Sequence, residues 1–113
     1  MEKFMLLFRG GNFRSLSPQE MQIHMQRWFS WMDSLQTKGI LVGSEPLQPI
    51  GRQINGKNKT ITNGPFIESK EMIGGYTIIN ATNLDEAVEI SKGCPILEMN
   101  GNVEVRPIQK VDR

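Results

Sequence analysis

One histidine and one cysteine carry most of the reactive chemistry in this chain of 113 residues. His24 is the only side chain whose unperturbed pKa lies near neutrality, so general acid or base work at physiological pH begins with it. At about 100° per residue it falls within ~40° of Trp28, Trp31 and Leu35 on a helical wheel, at one margin of an apolar stripe. That position allows a ring packed at the rim of the core, or a ring at the mouth of a pocket with Glu45, Glu68 or Glu71 orienting it as a catalytic acid or base. Cys94 cannot form an internal disulfide, and a single Cys with a single His cannot build a zinc cage, so no metal site is expected. Beside Pro95, Cys94 reads as a small buried hydrophobe. The densest polar cluster is the turn Asn63-Gly64-Pro65-Phe66 with Glu68-Ser69-Lys70-Glu71 after it. A tight turn beside a buried strand can offer backbone N–H groups and carboxylates to a small ligand; its plainer reading is a solvated loop. Gly10-Gly11 lacks the spacing and the following Lys of a phosphate loop, so no nucleotide or other cofactor is expected.

These residues need elements to position them. Phe4-Met5-Leu6-Leu7-Phe8, closed by Arg9-Gly10-Gly11, is too short for a helix and reads as a strand buried on both faces. Ser17-Pro18-Gln19-Glu20 supplies a helix start, with Ser17 as cap, Pro18 in the first helical position and Glu20 returning a hydrogen bond. Met21, Met25, Trp28, Met32 and Leu35 then draw an apolar stripe down a helix that runs to about Lys38 and ends at Gly39. Ile40-Leu41-Val42-Gly43 is a strand broken by Glu45-Pro46. Asn55-Gly56 predicts a two-residue hairpin turn between polar arms projecting into water. Ile73 to Ile79 is a further buried strand, its Gly74-Gly75 marking a bulge or a close backbone approach. Asn83 or Thr82 caps a second helix that ends near Lys92-Gly93, and Asn102 to Arg106 is a last, half-buried edge strand. Two strand–helix–strand units in series predict a ferredoxin-like α+β sandwich, an antiparallel sheet with both helices on one face.

The length allows one domain, residues 1–113. With 38% hydrophobic and 22% charged residues the chain can offset the entropy of ordering itself, which excludes global disorder. Thirteen Lys and Arg against twelve Asp and Glu are far from the excess that a phosphate backbone calls for, so no nucleic-acid partner is expected. No run approaches the ~20 apolar residues of a membrane span, and the start lacks a small-residue cleavage site, so a cytoplasmic protein without a membrane partner is expected. Phe4, Leu6 and Phe8 face one side of the first strand and Met5 and Leu7 the other, while Tyr76 and Ile78 oppose Ile79. Helices can cover only one of these sides. A second copy stacked on the bare side about a two-fold axis is the simplest cover, so a homodimer is expected.

The turn at 63–66 with its acidic follower, Gly74-Gly75-Tyr76, Leu84-Asp85-Glu86-Ala87 and the closing Val103-Glu104-Val105-Arg106-Pro107 resemble the DGPF-type branch of the YCII-related proteins of bacteria. Phe4-Met5-Leu6-Leu7 and Gly43-Ser44-Glu45-Pro46-Leu47 fit as well, so the resemblance covers nearly the whole chain. It implies a ferredoxin-like fold dimerising into an α+β barrel, with a small molecule bound in a cleft between helix and sheet and isomerase- or lyase-like acid/base chemistry. In the wider group a histidine on the first helix paired with an aspartate is the candidate catalytic pair, and His24 sits on the corresponding helix. Asn63 stands where the turn normally carries Asp, and an amide cannot take a proton at neutral pH. If that Asp is the family's base, the resemblance implies a member that is impaired or uses Glu68 instead. The enzyme expectation gives His24 and Glu68 the catalytic roles and Trp28, Asn63, Gly64, Pro65, Phe66 and Glu71 the ligand contacts. The alternative is a non-catalytic ligand-sensing or protein-binding module, since proteins of this type resemble partners of alternative sigma factors.

Overall fold

The computed structural model describes residues 1–64 and 71–112. Along the chain run β1 (Glu2–Gly10), α1 (Pro18–Thr37), β2 (Leu41–Pro46), β3 (Arg52–Asn55), β4 (Thr60–Asn63), β5 (Ile73–Ala81), α2 (Leu84–Ser91) and β6 (Gly101–Pro107), with 3-10 turns at Phe13–Ser15 and Pro95–Met99. The main sheet has the order β2-β5-β1-β6 and is antiparallel throughout, while β3 and β4 pair separately. Apart from that hairpin this is the ferredoxin-like α+β topology the strand–helix periodicity predicts. No described helix is long and apolar enough to cross a membrane.

Alternation along the two central strands sets the layers. Phe4, Leu6 and Phe8 of β1 join Ile79 and Ala81 of β5 in one core with Trp31, Leu35, Ala87, Cys94 and Ile96. Both helices therefore lie on this face. The intervening Met5, Leu7, Tyr76 and Ile78 point the other way and stay half-buried, with Met5 opposite Ile78 and Leu7 opposite Tyr76. At the β1–β5 junction Phe8 pairs with Gly75 and Arg9 with Ile73, a bulge at the expected glycines. A Cβ on Gly75 would stand 3.0 Å from the Glu45 carbonyl oxygen, so the close approach of β2 also favours glycine there.

Helix α1 starts as a full capping box: the Glu20 N–H donates to Ser17 Oγ at 3.1 Å and the Ser17 N–H to Glu20 Oε1 at 3.0 Å. Asn83 caps α2, accepting from the Glu86 N–H at 2.9 Å. The buried stripe of α1 is rotated from the expected one. His24, Trp31 and Leu35 are buried and Met25 is 40% exposed, because two indoles give the His24 side greater volume and one of them satisfies the imidazole. The hairpin also departs from expectation. Asn55 pairs with Thr60, so the loop is four residues, with positive φ at Gly56 and Lys59, where a two-residue turn is predicted. This register sets Ile54 opposite Ile61; a turn at Asn55-Gly56 alone would set it against Lys57. Strand β2 runs through Glu45 to Pro46, which an edge position tolerates.

Gly101 seats the 3-10 turn on the sheet. A Cβ there would lie 2.5 Å from Ile96 Cγ1 and 2.9 Å from the Arg9 carbonyl oxygen, whereas one on Gly51 meets nothing within 4 Å. Urea denaturation of Gly101→Ala should show a loss of about 1–3 kcal/mol, the cost of overpacking a closed contact, and Gly51→Ala a change near zero.

Candidate functional site

The residues singled out for chemistry fall in two places joined by the end of β1. The first is an aromatic cluster under the helix face of the sheet. His24 is 4% exposed and its ring meets the edge of Phe13, centroids 5.2 Å apart. Trp28, one turn on along α1, donates its indole N–H to His24 Nε2 at 2.7 Å. Trp28 in turn packs edge-on against Phe8 at 5.1 Å and Trp31 at 5.8 Å. Gly11 makes this possible: at φ +100° it turns the chain back, and a Cβ there would stand 2.3 Å from the Phe13 ring.

The indole can only donate, so Nε2 is the unprotonated nitrogen and the proton of the neutral ring is on Nδ1. Nδ1 has no partner among the described residues, yet no described buried polar atom lacks one, so Nδ1 keeps access to the outside. Burial holds the imidazole below its ordinary pKa; the Glu98 carboxylate acts more weakly upward and Arg27 downward. Arg27 and Glu98 pair with each other at the exposed rim of the cluster. Cys94 is 2% exposed and burial pushes its thiol up to about 12, which makes it an inert core residue.

The second place is a cleft of about 580 Å3 at the root of the hairpin, whose walls include Leu47, Ile50, Arg52, Gly64, Glu71 and Ile73. Gly64 and Glu71 thus come together here, and Asn63 ends β4 opposite Arg52. Pro65, Phe66 and Glu68 lie outside the described residues. Neither Glu45 nor Glu71 hydrogen-bonds His24: Glu45 sits on β2 opposite Tyr76, and the Glu71 carbonyl accepts from Arg9 Nε at 3.4 Å. Phe8 and Arg9 join the two places, one in the aromatic cluster and the next reaching the Glu71 backbone. Among the described residues no three His, Cys, Asp or Glu side chains converge as metal ligands would.

Phe8, Arg9 and Phe13 escape a reading of the sequence as site residues. Phe8 looks like one more strand apolar. Phe13 lies beyond the glycine pair that folds it back, and that pair is the one local signal for it.

The profile of the YCII-related domain matches residues 4–112. A comparison with curated proteins finds no significant match. Among solved structures, the chain is similar to 5-chloro-2-hydroxyhydroquinone dehydrochlorinase (TftG) from Burkholderia phenoliruptrix AC1100, in complex with 2,5-dihydroxybenzoquinone, at 15% identity and TM-score 0.49, over 94% of this chain and 93% of that one.

A buried neutral histidine gives the fold a pH dependence of known sign. The unfolded chain titrates His24 near 6.5 and the folded chain lower, so below that pH the unfolded state binds more protons. Stability contributed by the neutral ring is fully present above about pH 6.5. It falls as the pH drops below that value and levels off once the pH is under the depressed native pKa. Urea titrations between about pH 5 and pH 8 should show this slope in the wild type and lose it in His24→Gln, whose amide can still accept from Trp28. An equal slope in both proteins would assign it to another group.

Proposed function

Because the chain belongs to the YCII-related family and holds His24 neutral, with Nε2 bonded and Nδ1–H open, we propose that it binds a small molecule where α1 meets the sheet. In this reading Trp28 is the floor, the carboxylate is drawn from Glu68 or Glu71, and the amide contacts come from the turn that begins at Asn63. The observation that carries this reading is the Trp28–His24 hydrogen bond. Nδ1–H is then a fixed donor suited to a carbonyl, phenolate or enolate oxygen, and a neutral imidazole in that role stabilises charge developing on the oxygen. In the enzymatic form of the proposal a carboxylate, Glu68 or Glu71, takes a proton from the carbon next to that carbonyl. It returns the proton to another position of the same molecule, an isomerase-like exchange, or the carbanion's electron pair forms a double bond as a group leaves the neighbouring carbon with that proton, a lyase-like elimination. His24 Nε2 can serve as the base only by giving up Trp28. Asn63, an amide, contributes hydrogen bonds and no proton.

A non-catalytic sensor in bacterial regulation is the second reading, with a sigma factor as a candidate partner. It is favoured by one observation: no described carboxylate is bonded to the imidazole that catalysis would need oriented. A thermal-shift screen of small oxo-acids, phenols and diketones tests both readings. A ligand at a hundred times its Kd stabilises by about 2.7 kcal/mol, a rise in Tm of roughly 10–15 °C for a chain of this size. The rise should vanish in His24→Phe. Turnover of the same compound selects the enzyme, binding without turnover selects the sensor, and a response unchanged in His24→Phe removes His24 from the site.

The reading includes a homodimer. Met5, Leu7, Tyr76 and Ile78 form an apolar centre on the sheet face away from the helices, in a body only 19 Å thick. Fully burying an exposed side chain of this kind is worth about 1.5–3 kcal/mol, and a facing copy supplies the remaining fraction of that for each of these half-buried ones. Leu7→Glu should convert a dimer to a folded monomer or to aggregate by light scattering; a dimer unaffected by it would leave the open face uninvolved.

A further inference from the structure

Among the described elements, none packs substantially on the hairpin β3–β4. All eight strand residues are exposed, with Ile54 at 70% and Ile61 at 66%, and neither strand packs substantially on another element. A lone two-stranded hairpin is marginal in water, and an apolar pair laid bare on its surface adds to the cost. The radius of gyration, 15.8 Å, exceeds the roughly 13 Å of a compact domain of this length, as a projecting arm requires.

Charge narrows what the arm can rest on. Arg52, Lys57 and Lys59 lie between residues 50 and 64 with no acid, while the rest of the chain has ten cations to twelve acids. Among the described residues none of the three forms an ion pair, and the Arg52 guanidinium donates to the Gly51 carbonyl at 3.0 Å. Pairing also places Arg52 on the same face of the hairpin as Ile54 and Ile61, two residues along the strand. The matching features occur together on the sheet face turned away from the helices. Tyr76 and Ile78 are its apolar residues on β5, and Glu45, opposite Tyr76 on β2, has no ion-pair partner among the described residues. The arm also leaves the body there, after Pro46 at the end of β2, and rejoins it at Ile73, the start of β5. A two-fold axis passing close to that edge brings a second copy's Glu45 and Tyr76 beneath the arm.

We propose that the β3–β4 hairpin is an exchanged arm that lies on the open sheet face of a second copy of this chain, Ile54 and Ile61 against the Tyr76–Ile78 side and Arg52 toward Glu45. This rests on the homodimer proposed above and adds to it what the arm is for. Three cations are too few for a polyanion, and a facing copy provides both the apolar area and the unpaired carboxylate. Each arm then shelters its own two-strand ladder by covering the other subunit. The cleft at the arm's root, with Arg52 and Glu71 in its wall, takes its final shape only in the pair.

Two measurements on the full chain test the arm and the dimer separately. Hydrogen exchange is followed for the hairpin amides above and below the concentration at which the dimer dissociates. They should exchange at least about tenfold more slowly in the dimer. In sedimentation, Arg52→Glu and Glu45→Arg should each raise the dimer dissociation constant several-fold, and the double exchange should restore most of the loss, because only a contact between these two residues survives reversal of both charges. Ile54→Asp with Ile61→Asp, both on the exposed arm, should raise it at least about tenfold with the body still folded. A stable dimer whose hairpin amides exchange freely, and whose affinity ignores these substitutions, overturns the arm and leaves the shared face standing. A wild-type chain that stays monomeric at every concentration overturns both.

Discussion

A single layer of helices on a sheet that is apolar on both sides is the constraint from which the rest of this molecule follows. Phe4, Leu6 and Phe8 send their side chains into a core closed by Trp31, Leu35, Ala87 and Ile96, and pairing places Met5 and Leu7 on the opposite side whatever their neighbours prefer. The sheet cannot slip by one residue to improve matters, since every buried group would move to the open face. The charges around the open centre are arranged accordingly. Arg9 and Glu104 pair at 2.6 Å beside Leu7, and Arg106 approaches the same carboxylate at 3.8 Å, so the β6 side is internally neutralised while, among the described residues, Glu45 on the β2 side is not. The open face thus has a spent edge and an unspent one.

The same helical layer makes the histidine what it is. A partly polar ring inside a core costs free energy unless its nitrogens are bonded, and Trp28 meets half of that requirement from one turn away on the same helix. With Phe13 against the other side of the ring, the imidazole is held in orientation and in tautomer by neighbours that are not ionisable. Carboxylates fix a histidine by favouring its charged form; an indole N–H fixes it by favouring the neutral one. The consequence is a donor at Nδ1 and an occupied acceptor at Nε2, which is why the proposed function looks to a carboxylate for any base.

Much of the architecture was legible because it rests on local rules. The Ser17–Glu20 capping box, the Asn83 cap, the strand alternation and the glycine bulge in β5 depend on neighbours in sequence, and each reads directly. The misreadings have a common cause in contacts that sequence does not display. Wheel position treats Met25 as apolar and His24 as marginal, yet side-chain volume and one hydrogen bond reverse their burial. Asn55-Gly56 is a strong turn signal, but the pairing of Ile54 with Ile61 outweighs it and lengthens the loop. Phe13 and Arg9 enter the candidate site through a backbone reversal and a bulge, and neither is visible as spacing. Of the expected turn residues, Gly64 and Glu71 share a cleft; Glu68, on which the acid/base proposal leans, lies outside the described residues.

Phe8 and Arg9 deserve to be considered as a unit, since two adjacent residues of one strand face opposite sides of the sheet. The bulge at this step lets Phe8 lie edge-on to Trp28 in the histidine cluster while Arg9, on the open face, bonds both Glu104 and the Glu71 carbonyl. Whatever lies against the open face at Arg9 therefore acts on the backbone from which Glu71 enters the cleft, and on the strand end that supports Trp28. Packed strands move as bodies and have few intermediate positions, so a shift at this end is shared by both places. The proposed assembly face and the proposed ligand site therefore meet at one strand terminus, where the β1–β5 register shifts.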